Sequence, residues 1–117
     1  MSDTAPAPDA PQQPEFVTVA KVGDIAPNTG EAFEVGEKMV AVFYTDGQYY
    51  AIDDFCPHMG SSLAPGQPMD GAVACPWHAW RFRLSDGCWL NNPKLKIPSY
   101  EVRVEGDSIQ VASKPRD

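Results

Sequence analysis

Four tight-turn dipeptides, each set between short runs of β-branched and aromatic residues, constrain the fold of this chain more than any other feature. They are Gly36-Glu37, Asp46-Gly47, Asp86-Gly87 and Gly106-Asp107. Glycine, and to a lesser degree aspartate, accepts the positive φ that a two-residue hairpin demands, so such pairs mark places where a strand reverses. The spacing predicts strands over 32–35 and 39–44, then 48–52, with further hairpins from 80–84 to 88–90 and from 100–104 to 108–112. Shorter β-rich runs at 16–20 and 72–74 complete the set. Helical periodicity is not sustained over any window of about 12 residues, leaving room for at most a turn near 22–25. The expected class is therefore all-β: an antiparallel sandwich or barrel whose terminal strands pair into one sheet. The segment from about 54 to 93 falls between them as an inserted subdomain.

A chain of 117 residues suits one domain with a modest core. Residues 1–14 hold four prolines and nothing apolar larger than alanine after Met1, which predicts a disordered tail. The folded domain is expected over 15–113, followed by a short tail at 114–117. No run approaches the roughly 18 apolar residues that would span a bilayer, and the N-terminus lacks a basic start followed by an apolar stretch. A cytoplasmic protein is the expectation. Net charge is −7, from 9 basic and 16 acidic residues. That sign disfavours a phosphate backbone as partner and suits steering toward a basic patch on another protein, or simply keeps the chain soluble.

Chemistry is concentrated in two short clusters, Cys56-Pro57-His58 and Cys75-Pro76-Trp77-His78, separated by the 16 residues 59–74. They take up both histidines and two of the three cysteines of the chain. Without a secretion signal, three cysteines do not suggest a disulfide framework. A tight loop can present two ligands at this spacing, and two such loops facing each other present four. Two thiolates and two imidazoles suit one tetrahedral zinc, or two irons that also share bridging sulfides. Zinc knuckles commonly use a C-x-x-C spacing, which neither cluster has. Cys88 follows the Asp86-Gly87 turn, outside ligand spacing, and reads as an inert strand residue.

The pattern C-x-H, sixteen residues, then C-x-x-H resembles that of Rieske iron–sulfur domains, and the resemblance extends over about 16–112. Supporting it are Val22-Gly23-Asp24, the Asp46-Gly47 turn ahead of the first cluster, Leu63 between the loops, and the segment 100–104. The resemblance implies one 2Fe–2S cluster, with Cys56 and Cys75 on the inner iron and His58 and His78 on the outer. With neutral imidazoles the oxidised cluster carries no net charge and the reduced one −1, so the added electron localises on the histidine-bound iron. Rieske subunits of membrane cytochrome complexes carry an additional cysteine in each loop; the neighbourhoods of Met59 and Trp77 have none. Ala79 and Trp80 follow His78 where those subunits place glycine and serine. Fewer hydrogen bonds to cluster sulfur imply a potential of about −150 mV rather than about +300 mV.

The supporting residues have assignable roles. Pro57 and Pro76 stiffen the ligand loops. Asn91-Asn92-Pro93 is a candidate third loop against the cluster, Met59 and Trp77 are candidate docking contacts, Trp80 is a candidate shield, and Phe82 and Trp89 read as core. The resemblance implies a soluble ferredoxin passing single electrons from a flavin reductase to a terminal oxygenase. The alternative is the small subunit of an NAD(P)H-dependent nitrite reductase, held by its large subunit. A structural zinc or redox-sensing module is a further one. No GxGxxG loop is present, and no histidine remains for a mononuclear iron, so catalysis by the chain alone is not expected.

Overall fold

In a computed structural model, residues 15–56, 62–75 and 80–116 are described, apart from the side chain of Pro93. Eleven strands run in chain order among these residues, with no helix: β1 (Phe16–Lys21), β2 (Thr29–Val35), β3 (Lys38–Thr45), β4 (Gln48–Asp53), β5 (Ala72–Ala74), β6 (Arg81–Arg83), β7 (Cys88–Trp89), β8 (Asn92–Lys96), β9 (Ser99–Tyr100), β10 (Val102–Glu105) and β11 (Ser108–Ala112). They form three antiparallel sheets, ordered β1-β11-β10, β2-β3-β4-β9 and β5-β6-β7-β8. The terminal strands β1 and β11 pair as the sequence predicts, with a bulge between Thr18 and Ala20. All four predicted turns are hairpin turns. At the β3–β4 turn, Asp46 and Gly47 both take positive φ, 54° and 75°, the pattern of a type I′ turn matched to strand twist.

The β2-β3-β4-β9 sheet is the middle layer. Side chains alternate across a strand, so a strand covered on both faces needs an unbroken apolar run. β3 has one: Val40 and Val42 point to a core shared with β11, containing Ile109 and Val111, while Ala41 and Phe43 point to a second core shared with β5 and β6. All four are fully buried. β4 divides in the same way, Ala51 to the first core and Ile52 to the second. The second core takes Val73, Phe82, Leu84 and Ile97 from the β5–β8 side, together with Cys56 and Cys75. Burying a side chain such as Phe82 contributes about 1.5–3 kcal/mol, so this core holds the β5–β8 sheet on the middle layer.

Two strand expectations change. The run at 100–104 divides into β9 and β10, which belong to different sheets, with Glu101 between them. Asn92 and Pro93, read from sequence as part of a loop, lie instead in β8, which pairs with β7 through Trp89↔Asn92 and Cys88↔Lys96 across an irregular register. The proline is accommodated because β8 is an edge strand of its sheet, where one side of the backbone has no ladder to supply.

Candidate metal centre

Each predicted ligand cysteine stands at the end of a strand. After β4 the chain continues through Asp54, whose N–H donates to the Met39 carbonyl at 3.0 Å, and reaches Cys56 two residues later. Cys75 directly follows β5. Both are buried, in one apolar core with Leu63, Ala64 and Phe82. The structure thus brings the two cysteines of the separate clusters into one core, although 19 positions separate them in sequence. His58 and His78, the other predicted ligands, lie outside the described residues, as do Pro57, Met59, Pro76, Trp77 and Ala79.

The described residues on either side of each cluster are joined by hydrogen bonds. In the first, the Asp54 carboxylate oxygen Oδ1 accepts the N–H groups of Leu63 and Ala64, each at 2.8 Å. The Ser62 hydroxyl donates to the same carboxylate, at 2.6 Å to Oδ2. One side chain therefore ties the exit of the loop to its entrance, satisfying two backbone donors of buried residues that no strand ladder serves. In the second loop the Cys75 N–H donates to the Trp80 carbonyl at 2.7 Å, bracketing residues 76–79. Just behind, Tyr100 on β9 donates its hydroxyl to Asp53 Oδ1 at 2.5 Å, anchoring the end of β4. Burial first, and then the facing Asp53 carboxylate, push the Tyr100 phenol above its usual range.

Aromatic side chains line this core. Trp80 stacks on Trp89 with centroids 4.0 Å apart and planes 13° from parallel, and both pack against the buried cluster that holds the cysteines. Phe82 is core, as expected. Trp89 is half-buried, and its indole Nε1 is buried with no hydrogen-bond partner among the described residues. Cys88 is half-exposed on β7, and strand alternation turns it away from the face that carries Trp89. Its N–H donates to Asp86 Oδ1 at 3.0 Å. Asp86 is also gripped by Arg83 at 2.8 Å, and the guanidinium together with the Cys88 N–H holds its carboxyl down at about 2.

Asp54 is the residue that sequence reasoning missed. Nothing in the pair Asp53-Asp54 says that one carboxylate serves Tyr100 and the other cinches the loop. The available signal was an acidic residue two positions before a ligand cysteine, at the point where a strand ends.

The donor set and its surroundings fit an iron–sulfur group. Two thiols sequestered from water in one core suit thiolate ligation, and Trp89, with its buried indole N–H, packs against that core. Fold and site together define a small β protein built around a buried pair of cysteines. The family follows from comparison with known proteins: the Rieske [2Fe-2S] domain model matches residues 15–101, and the chain belongs to that family. It is 32% identical over 111 residues to the ferredoxin component of an alkene monooxygenase system from Xanthobacter autotrophicus, covering 93% of this chain and 91% of that one. It is 34% identical over 104 residues to the small subunit of an NADH nitrite reductase from Escherichia coli, covering 83% of this chain and 96% of the subunit. Among solved structures, the ferredoxin in a complex of reduced oxygenase and oxidised ferredoxin of carbazole 1,9a-dioxygenase aligns with TM-score 0.78 at 27% identity, over 87% of this chain and 96% of that one. A Rieske domain implies a Rieske-type 2Fe–2S cluster, which decides between iron–sulfur and zinc where the donor set alone did not. Among the described residues, no helix is long and apolar enough to cross a membrane.

Proposed function

We propose that this protein is a one-electron carrier, a soluble cytoplasmic Rieske ferredoxin that takes electrons from a flavin-dependent reductase and passes them to a terminal oxygenase. Cys56, His58, Cys75 and His78 are the four ligands in this reading, with the two cysteines on the buried iron and the two histidines on the outer one. The cluster supplies reversible one-electron chemistry between a diferric and a mixed-valence state. The chain's own contribution is to exclude water from the cysteine side with Leu63, Phe82 and Ile52, and to hold both loops through Asp54 and the Cys75–Trp80 bond. These contacts would hold the cysteine side of the group in place, which favours electron exchange with little rearrangement. We read residues 15–113 as one Rieske domain with the segment 54–93 carrying the cluster.

The observation that carries this reading is the alignment with the monooxygenase ferredoxin, which runs through nearly the whole of that protein. The oxygenase–ferredoxin complex, whose ferredoxin shares this fold, supports an oxygenase as the acceptor. The nitrite reductase small subunit is the second reading, favoured by the comparable alignment over 96% of the Escherichia coli subunit. Pull-down of the tagged holoprotein from its own cells separates the two. A stable stoichiometric complex with a large sirohaem protein supports the subunit. Reduction by a flavin reductase and NADH, followed by oxygenase turnover that depends on this protein, supports the carrier.

A further inference from the structure

Charge is unevenly distributed over this molecule. The segment 55–98 contains four basic residues, Arg81, Arg83, Lys94 and Lys96, against two acidic ones, Asp70 and Asp86. It is therefore net +2 inside a chain of net −7, and everything outside it carries −9. Over the segment 54–93, read above as carrying the cluster, Asp54 is counted and Lys94 and Lys96 are not, and the sum is −1; the positive charge belongs to the strands β6 to β8.

The register shows where these cations stand. On β6, Arg81 and Arg83 are exposed on either side of buried Phe82. Phe82 pairs with Trp89, whose neighbour Cys88 pairs with Lys96. Ile97, next to Lys96, is buried in the cysteine-bearing core. Phe82 and Ile97 are buried and Trp89 half-buried, whereas Arg81 and Arg83 project from the face opposite Phe82, and Lys94 and Lys96 on β8 are exposed. Arg116 adds a further cation at the β6–β7 turn, donating to the Ser85 carbonyl at 3.1 Å. Asp86 answers only Arg83; among the described residues no ion pair involves Arg81, Lys94 or Lys96. Beside Arg81, held by the bond from the Leu90 N–H to its carbonyl, Leu90 is 40% exposed and gives the face an apolar spot.

Resting on the electron-carrier reading above, we infer that the outer face of the β5–β8 sheet is a cationic docking surface for an acidic patch on the redox partner. Net charge alone points the other way, toward a basic partner. Yet exposed charges farther apart than about 8 Å are largely screened at physiological ionic strength, so a partner close to the cluster-bearing sheet responds to the local +2. The −9 elsewhere then has a use: it repels an acidic partner from every other approach and leaves the cluster side as the attractive one.

Stopped-flow oxidation of the dithionite-reduced, desalted holoprotein tests this with two small probes, anionic hexacyanoferrate(III) and cationic tris(phenanthroline)cobalt(III). Each accepts one electron as the mixed-valence cluster returns to the diferric state. The inference predicts that from about 0.1 M salt upward, where distant charges are screened, the hexacyanoferrate(III) rate falls as salt rises, the sign for attraction, despite the overall negative charge. The double variant R81E/K96E, with unchanged visible and EPR spectra, lowers that rate about tenfold at the low end of this range, the lower end of electrostatic steering, and reverses the salt slope. A wild-type rate that rises with salt, and is indifferent to the double variant, overturns the inference. Sedimentation showing a low-salt dimer that R81E/K96E abolishes assigns the face to a second copy and also overturns it. A colourless protein overturns the carrier reading, and the inference with it.

Discussion

Replacing Asp54 by alanine is the sharpest test of how the first ligand loop is held. The carboxylate accepts hydrogen bonds from the Leu63 and Ala64 N–H groups at 2.8 Å and from the Ser62 hydroxyl at 2.6 Å. Leu63 and Ala64 are buried, at 0% and 6% exposure, so their donors do not find water without moving the loop. An orphaned buried donor costs about 1–3 kcal/mol, which gives about 2–6 kcal/mol for the pair. Ser62 is exposed and turns to solvent at little cost. Loop relaxation admits some water, so the lower half of that range is expected, still a large share of the roughly 5–15 kcal/mol that stabilises a small domain. Asp54→Asn keeps an Oδ1 acceptor for both N–H groups but loses the charge, so about 1 kcal/mol is expected there. Urea unfolding of the holoproteins, followed by tryptophan fluorescence and cluster absorbance together, gives both values. Asp54→Ala within about 0.5 kcal/mol of wild type, with the cluster band equally persistent, would refute the argument that this side chain closes the loop.

Three further outcomes follow from the geometry. Gly87 has φ of 78°, and a Cβ there collides with the Ile97 carbonyl, so Gly87→Ala is expected to destabilise the protein by about 3 kcal/mol in the same urea assay. Tyr100 has a folded pKa above its ordinary 10.0, so its contribution is complete below about pH 10 and is lost as pH rises through the higher folded value. The urea midpoint should therefore fall as pH rises above about 10, and Tyr100→Phe should flatten that fall. Cys75→Ser should lose or alter the visible cluster spectrum, whereas Cys88→Ser should leave it unchanged; a native spectrum in the first variant would contradict the ligand assignment.

How far the fold could be read from sequence differed from element to element, for physical reasons. Hairpins were legible because their turns need residues that tolerate positive φ, and Asp46-Gly47 and Gly87 supply them. The middle position of β3 was signalled too, by a run from Met39 to Tyr44 with no polar residue to face water. β8 was not legible: Asn92-Pro93-Lys94-Leu95-Lys96 has a single large apolar residue and a proline, and what makes it a strand is its pairing with β7. The meeting of Cys56 and Cys75 in one core was legible from the matching proline and histidine that follow each of them. Asp54 was hidden because its partners lie eight to ten positions away and are backbone groups, which carry no residue preference. The distribution of charge was hidden for a related reason: a sum of −7 over the chain does not show that Arg81, Arg83, Lys94 and Lys96 fall on neighbouring strands.

The most direct test of the central claim is the visible and EPR spectrum of the purified protein before and after dithionite. The account predicts a coloured oxidised form that is EPR-silent and bleaches on reduction to a paramagnetic mixed-valence cluster, with nitrogen couplings from two histidine ligands. A colourless protein containing one zinc per chain, or a reduced cluster with no nitrogen coupling, would contradict it.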